Sequence, residues 1–264
     1  MPAWEPDIPP SYPGVITCIG LRITVDAAWL EACRPLVAAE ELCEAQRYAH
    51  LKDAITFITG RVLVRQALRA TFGSDNVGPF ARGYRGKPYC PTCEAHFSIS
   101  HSQNMVWAAV CRDAPCGIDV EAKLPLPQLL ELSSCLHSRE QTAILSLNKC
   151  ARKQAFYRCW TRKEAVLKAL GHGLYLHPHS FEVDISPNPF HWIVSLPTTA
   201  MPIPSASTTD ALPAVPTQPN LWTSASVDAG PDYCCSVAAA AANLAIRELY
   251  IPGPLPTATL SCVS

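Results

Sequence analysis

Asp119 and Glu121 in the segment GIDVE, and Glu164 and Lys168 in the segment WTRKEAVLKALGHG, have the types and spacing best suited to chemistry. In an extended strand, side chains at i and i+2 leave the same face, so both acids of GIDVE point one way. On a helix, i and i+4 lie one turn apart on one face, which sets Glu164 beside Lys168. Three carboxylates that can meet, Asp119, Glu121 and Glu164, offer hard oxygen ligands to a magnesium ion. A lysine next to them offers a cation to a phosphoryl leaving group. Each half also has an ordinary reading. An Asp-x-Glu pair alone is a weak metal signal, and a Glu–Lys pair at i,i+4 is most often a solvated ion pair of roughly 0.2–0.5 kcal/mol. The setting sharpens the reading, because GIDVE is otherwise apolar and burying acids without a cation or hydrogen bonds is costly.

A second cluster lies in GSDNVGPFARGYRGKPYCPTCEAH, where Arg82, Arg85 and Lys87 surround two glycines and a proline. Such a loop can bring backbone N–H groups and cations against a phosphate, and its ordinary reading is a solvated basic loop. The next segment, FSISHS, alternates: Phe97 and Ile99 face one way, Ser98 and Ser100 the other. His101 stands between Ser100 and Ser102, and a lone histidine is more often structural or exposed than catalytic. The segment lacks a Gly-x-Ser-x-Gly elbow, which argues against a serine hydrolase. Cys90 and Cys93 form one CxxC with His96 close by, but no second CxxC or HxxxH completes a zinc site. A zinc-stabilised interaction module therefore stands as an alternative reading.

These residues need elements to hold them. The sequence predicts a strand over 15–25 and a helical region from Ala27 to about Arg69. Its most apolar part, residues 55–68, is a buried central helix in which Gly60 permits close backbone approach. Residues 96–102, 105–111 and 116–120 are short alternating runs with tight connections, so a three-strand antiparallel meander is expected. Residues 122–135 form a proline-bearing crossover. Residues 138–147 and 151–170 are helical; Phe156, Trp160, Leu167 and Leu170 share a core-facing stripe, and Gly171 and Gly173 stop the second helix. Strands are expected at 181–185, 190–196, 221–227 and 233–240. The stretch 197–220 is a low-complexity insertion rich in Pro, Ala, Ser and Thr.

The chain has 264 residues, of which 48% are hydrophobic and 16% charged, values of a globular protein. A net charge of −1 gives no basic excess for a nucleic-acid backbone. The N-terminus shows no signal-peptide pattern and no apolar run is long enough to span a membrane, so a cytoplasmic protein is expected. The thirteen cysteines are scattered through apparent strands and helices, as buried apolar residues in a reducing compartment would be.

RYAHLKDAITFITGRVLVR, YRGKPY, FSISHS, GIDVE and WTRKEAVLKALGHGL, in this order, resemble the 4′-phosphopantetheinyl transferase superfamily, in particular its two-subdomain, surfactin-synthetase-activating type. The resemblance implies an α+β fold of two similar subdomains, residues 1–122 and 123–264, each an antiparallel sheet packed with helices, with coenzyme A in the cleft between them. It implies transfer of phosphopantetheine from coenzyme A to a serine of an acyl or peptidyl carrier protein, by a monomer, with release of adenosine 3′,5′-bisphosphate. Asp119, Glu121 and Glu164 would hold Mg²⁺, with Asp119 also facing the coenzyme A diphosphate. Glu164 would take the serine proton and Lys168 would meet the departing bisphosphate. Arg85, Gly86, Lys87 and Pro88, with Ser100, His101 and Ser102, would cradle coenzyme A, His101 facing the 3′-phosphate. Arg47 would supply a phosphate contact, since Glu41 and Glu44 stand where the family often carries bases. A non-catalytic coenzyme A-binding protein is a further alternative.

Overall fold

The computed structural model describes residues 4–83, 86–171, 176–196 and 217–254. Arg85, Gly173 and residues 197–216 of the expected insertion lie outside these.

The run VITCIGLR forms β1 (Val15–Arg22). Three helices follow: α1 (Ala27–Cys33), α2 (Ala39–Ala45) and the long α3 (Leu51–Phe72), the last buried around most of its girth, as its apolar density requires. The two-residue strands β2 (Ala81–Arg82) and β3 (Pro88–Tyr89) pair across a turn at Gly86, whose φ of +81° suits glycine. Then come β4 (His96–Ser102), β5 (Met105–Cys111) and β6 (Cys116–Ala122). Helices α4 (Leu129–Ser133), α5 (Ser138–Ser146) and α6 (Lys149–Leu170) precede β7 (Thr223–Val227), β8 (Tyr233–Ala239) and β9 (Ala245–Tyr250).

The fold is α+β, with antiparallel pairing dominant, but the expected meander does not form. Strand β5 is paired with β4 on one edge and β1 on the other, so it has no edge left for β6. Strand β6 instead joins β8 in a second sheet ordered β6-β8-β7. The first sheet is ordered β4-β5-β1-β9, its last strand returning from the end of the chain to lie parallel to β1. A division at residue 122 thus parts β6 from its sheet and β9 from the other. The strands expected at 181–185 and 190–196 are reduced to single bridges, Val183 to Ile193 and Phe190 to Ala225. The buried guanidinium of Arg162 takes the carbonyls of Asp184, Ser186 and Asn188, which fixes the connection between the two segments around it.

Side-chain alternation builds four layers. From β5, Val106, Ala108 and Val110 meet α3, while Met105, Trp107, Ala109 and Cys111 meet the second sheet. From β6, Cys116, Ile118, Val120 and Ala122 fill that same inter-sheet core. The other face of β6, carrying Gly117, Asp119 and Glu121, is left to α6. Helix α6 is capped by Asn148, which accepts from the Ala151 N–H at 3.0 Å, and ends at Gly171 in the left-handed conformation at φ +68°. The expected stripe of Phe156, Leu167 and Leu170 is buried, with Trp160 stacked on Phe156.

One internal ion pair fastens α5 to α6. Lys163 and Glu140 are both fully buried, 2.8 Å apart, and the lysine also donates to the carbonyls of Phe181 and Pro178 at 2.6 and 2.8 Å. Glu140 further accepts from the Val183 and His137 N–H groups. Removing one partner strands the other charge in the core, so Glu140→Ala is expected to cost about 3–5 kcal/mol in urea denaturation. A loss under about 1 kcal/mol would show that the pair is not load-sharing.

Candidate functional site

The face of β6 turned to α6 starts with a glycine for a steric reason. A Cβ on Gly117 would collide with the Ala165 carbonyl and the Ala169 amide nitrogen, and would lie 2.9 Å from Lys168 Cβ. The helix therefore rests directly on the strand backbone. Two residues along, Asp119 meets Lys168 across that contact, Oδ1 to Nζ, at 2.7 Å.

Strand β4 approaches β6 from the other side. Its serine hydroxyls take the place of a backbone ladder: Ser98, Ser100 and Ser102 accept from the N–H groups of Ile118, Val120 and Ala122 at 3.0–3.2 Å. Ser100 also donates to Asp119 at 2.9 Å and accepts from Lys168 at 2.9 Å, and Ser102 donates to Glu121 at 2.9 Å. Asp119, Ser100 and Lys168 thus form one hydrogen-bonded cluster fed by β6, β4 and α6. Sequence reasoning assigned Ser100 and Ser102 to a ligand cradle and missed the ladder. The signal was present, since serines at i, i+2 and i+4 line one face of a strand.

Glu164 and Glu121 complete the acidic group. Partial burial raises the pKa of each carboxyl, and the charge of Asp119 raises both further. The opposing charge of Lys168 only offsets this. Among the described residues, no group of three or more His, Cys, Asp or Glu side chains is arranged to hold a metal ion. Two features of the cluster nonetheless suit a divalent cation: Asp119 Oδ2 is buried without a hydrogen-bond partner, and the neighbouring carboxylates are hard oxygens under mutual repulsion.

A cavity of about 430 Å³ opens beside this cluster, walled by α3, the turn at Gly86, β4 and the end of α6. Of the residues read from sequence as a ligand cradle, Gly86, Lys87, Pro88, His101 and Lys168 line it. Arg47 sits in the exposed turn after α2, and its neighbour Tyr48 reaches the wall instead. His101, at the outer end of β4, is held below the usual histidine range by loss of solvent around its ring and then by the charge of Lys168. It is therefore mostly neutral at neutral pH. Lys87 donates to the carbonyls of Cys116, Lys168 and Ala169 at 2.9, 2.6 and 3.4 Å, fixing the last turn of α6 to the start of β6. A cation there also suits the negative end of the helix. Cys90 and Cys93, considered above as zinc ligands, are buried with their sulfurs 3.0 Å apart, and burial pushes the Cys93 thiol up to about 12.

The 4′-phosphopantetheinyl transferase superfamily model matches residues 115–209. A 4′-phosphopantetheinyl transferase of Bacillus subtilis is 33% identical over 150 residues, covering 56% of this chain and 66% of the relative. HetI of Nostoc, also a 4′-phosphopantetheinyl transferase, is 32% identical over 161 residues, covering 58% of this chain and 68% of its own. This chain belongs to the 4′-phosphopantetheinyl transferase superfamily. A further member, psf-1 of Bacillus pumilus, is 31% identical over 160 residues, covering 60% of this chain and 67% of the relative. The chain aligns with just under two thirds of the length of the Bacillus subtilis transferase. Among the described residues of this superfamily member, no helix is long and apolar enough to cross a membrane.

The acidic group makes a prediction about pH. Glu121 and Glu164 titrate above their unfolded values, so their contribution to stability is most favourable below the ordinary carboxylate pKa and is lost as pH rises through the raised one. In chelator, Glu164→Gln should therefore raise the melting temperature at pH 8, and the gain should shrink towards pH 4. An equal shift at both pH values would contradict the repulsion.

Proposed function

We propose that this protein transfers the 4′-phosphopantetheine group of coenzyme A to a serine of an acyl or peptidyl carrier protein, releasing adenosine 3′,5′-bisphosphate. Carrying the proposal is the cluster of Asp119, Ser100 and Lys168, joined across three elements, with Lys168 in the wall of a cavity and Glu121 and Glu164 nearby. Membership of a superfamily whose relatives are 4′-phosphopantetheinyl transferases supports it.

In this reading coenzyme A occupies the cavity, its diphosphate towards Lys168 and the acids. The serine oxygen of the carrier attacks the phosphorus bearing the pantetheine arm, and the bond to the adenosine side breaks. Glu164 takes the serine proton; its raised affinity for protons makes it a better base than a solvated glutamate. Lys168, anchored by Asp119 and Ser100, meets the charge that gathers on the departing bisphosphate. His101, held neutral, can donate a hydrogen bond to the nucleotide end. Asp119, Glu121 and Glu164 would hold Mg²⁺, which would supply Lewis-acid neutralisation of the diphosphate. The Gly86 turn, with Lys87 and Pro88, would shape the wall against the nucleotide, Lys87 by holding α6 in place.

Mass spectrometry of a carrier protein incubated with coenzyme A, Mg²⁺ and the protein tests this. One phosphopantetheine mass should be added, and chelator should abolish the gain. Asp119→Ala and Glu164→Ala should each lower the rate by about 100-fold or more while circular dichroism stays unchanged. Coenzyme A binding with no modification of any carrier type would favour the non-catalytic reading. Full activity in chelator would remove Mg²⁺ from the account.

A further inference from the structure

We infer that Arg61 is the side chain that holds a phosphate of the substrate at the α3 wall of the cavity. Resting on the transferase reading, this names a binding residue to which the sequence reading gave no role.

Arg61, Lys87 and Lys168 are the cationic side chains among the described residues that line the cavity. An ammonium has three N–H donors. Those of Lys87 face three carbonyl oxygens, so it has none to spare for a ligand. Lys168 is engaged by Asp119 and Ser100 beside the acidic cluster. Arg61 differs from both. It is buried to 7% exposure, yet its Nη1 has no hydrogen-bond partner. The nearest carboxylate oxygen to its Nε, on Glu41, stands 3.8 Å away, beyond hydrogen-bond reach.

Arg61 lacks close acceptors because its neighbours hold most of the acid oxygens around it. Glu41 is held by Arg65 at 2.5 Å and by the Ala38 N–H at 3.0 Å. Glu44 is paired with Arg82. Three arginines thus share two glutamates, and the acid oxygen left to Arg61, Glu41 Oε1, pairs with it only at 3.8 Å and makes no hydrogen bond. Its guanidinium lies over the rings of Phe57 and Phe80, 5.0 and 5.6 Å from their centres, which holds it at the cavity wall. A guanidinium that is desolvated and short of hydrogen-bond acceptors is suited to a phosphate, whose oxygens accept in pairs. Arg47, in an exposed turn, is not built in this way.

Calorimetric titration of the full chain with adenosine 3′,5′-bisphosphate, and separately with coenzyme A, tests the assignment. Arg61→Met should weaken both about ten- to a hundredfold and lessen the dependence of affinity on salt. Arg61→Gln, which keeps a polar group beside Glu41, gives the same readout should the methionine variant fail to fold. If either folded variant binds both ligands as tightly as the wild type, the inference is overturned and the transferase reading stands. If the wild type binds neither ligand, the transferase reading fails and takes the inference with it.

Discussion

Direct contact between the backbone of β6 and helix α6 at Gly117 is the constraint on which the site depends. With no side chain between them, the helix approaches until Lys168 reaches Asp119 at 2.7 Å. Any larger residue would have to push the helix off the strand, since the atoms in the way are backbone and cannot rotate aside. The same approach lets Lys87 bridge the last carbonyls of α6 to Cys116, so the contact is pinned at a second point. From the far side, the serines of β4 close the seam by satisfying N–H groups of β6 that have no strand beside them. Two sheets and a helix are thereby locked in one register around three acids and a lysine.

Electrostatics follows from that register. Desolvation and mutual repulsion raise Glu121 and Glu164, while Asp119, more deeply buried, is compensated at only one oxygen. Such an arrangement costs stability in the isolated protein and lowers the cost of admitting a cation. At the α3 wall Arg61 and Asp53 stand among apolar and hydroxyl side chains. Lys168 is the side chain that joins the acidic cluster to the cavity wall.

Much of this was legible in the letters. Period-2 alternation in CGIDVEA placed both acids on one face, and i,i+4 spacing placed Glu164 with Lys168, because both rules are local. Which sheet β6 would join was not local. It was decided by β1 occupying the free edge of β5, a pairing between residues far apart in the chain. Strand β9 went unread because AIRELY lies at a sheet edge and lacks a clean apolar alternation. The strands expected near 183 and 193 shortened to a bridge between Val183 and Ile193, and Arg162 gathers the carbonyls of Asp184, Ser186 and Asn188 at the turn that joins them. Lys87 looked like a ligand-binding cation, and only the position of the α6 terminus shows where its donors go. Arg61 was hidden in an apolar helix, where its charge reads as an exception rather than a site.

The most direct measurement of the central claim is the transfer rate of Gly117→Ala, taken with its melting temperature and its affinity for coenzyme A. The account predicts a folded protein, destabilised by about 1–3 kcal/mol, whose transfer rate falls about tenfold or more as Lys168 and Glu164 are displaced from β6. A variant that transfers phosphopantetheine as fast as the wild type would show that the strand–helix contact does not set the site, and would contradict the account.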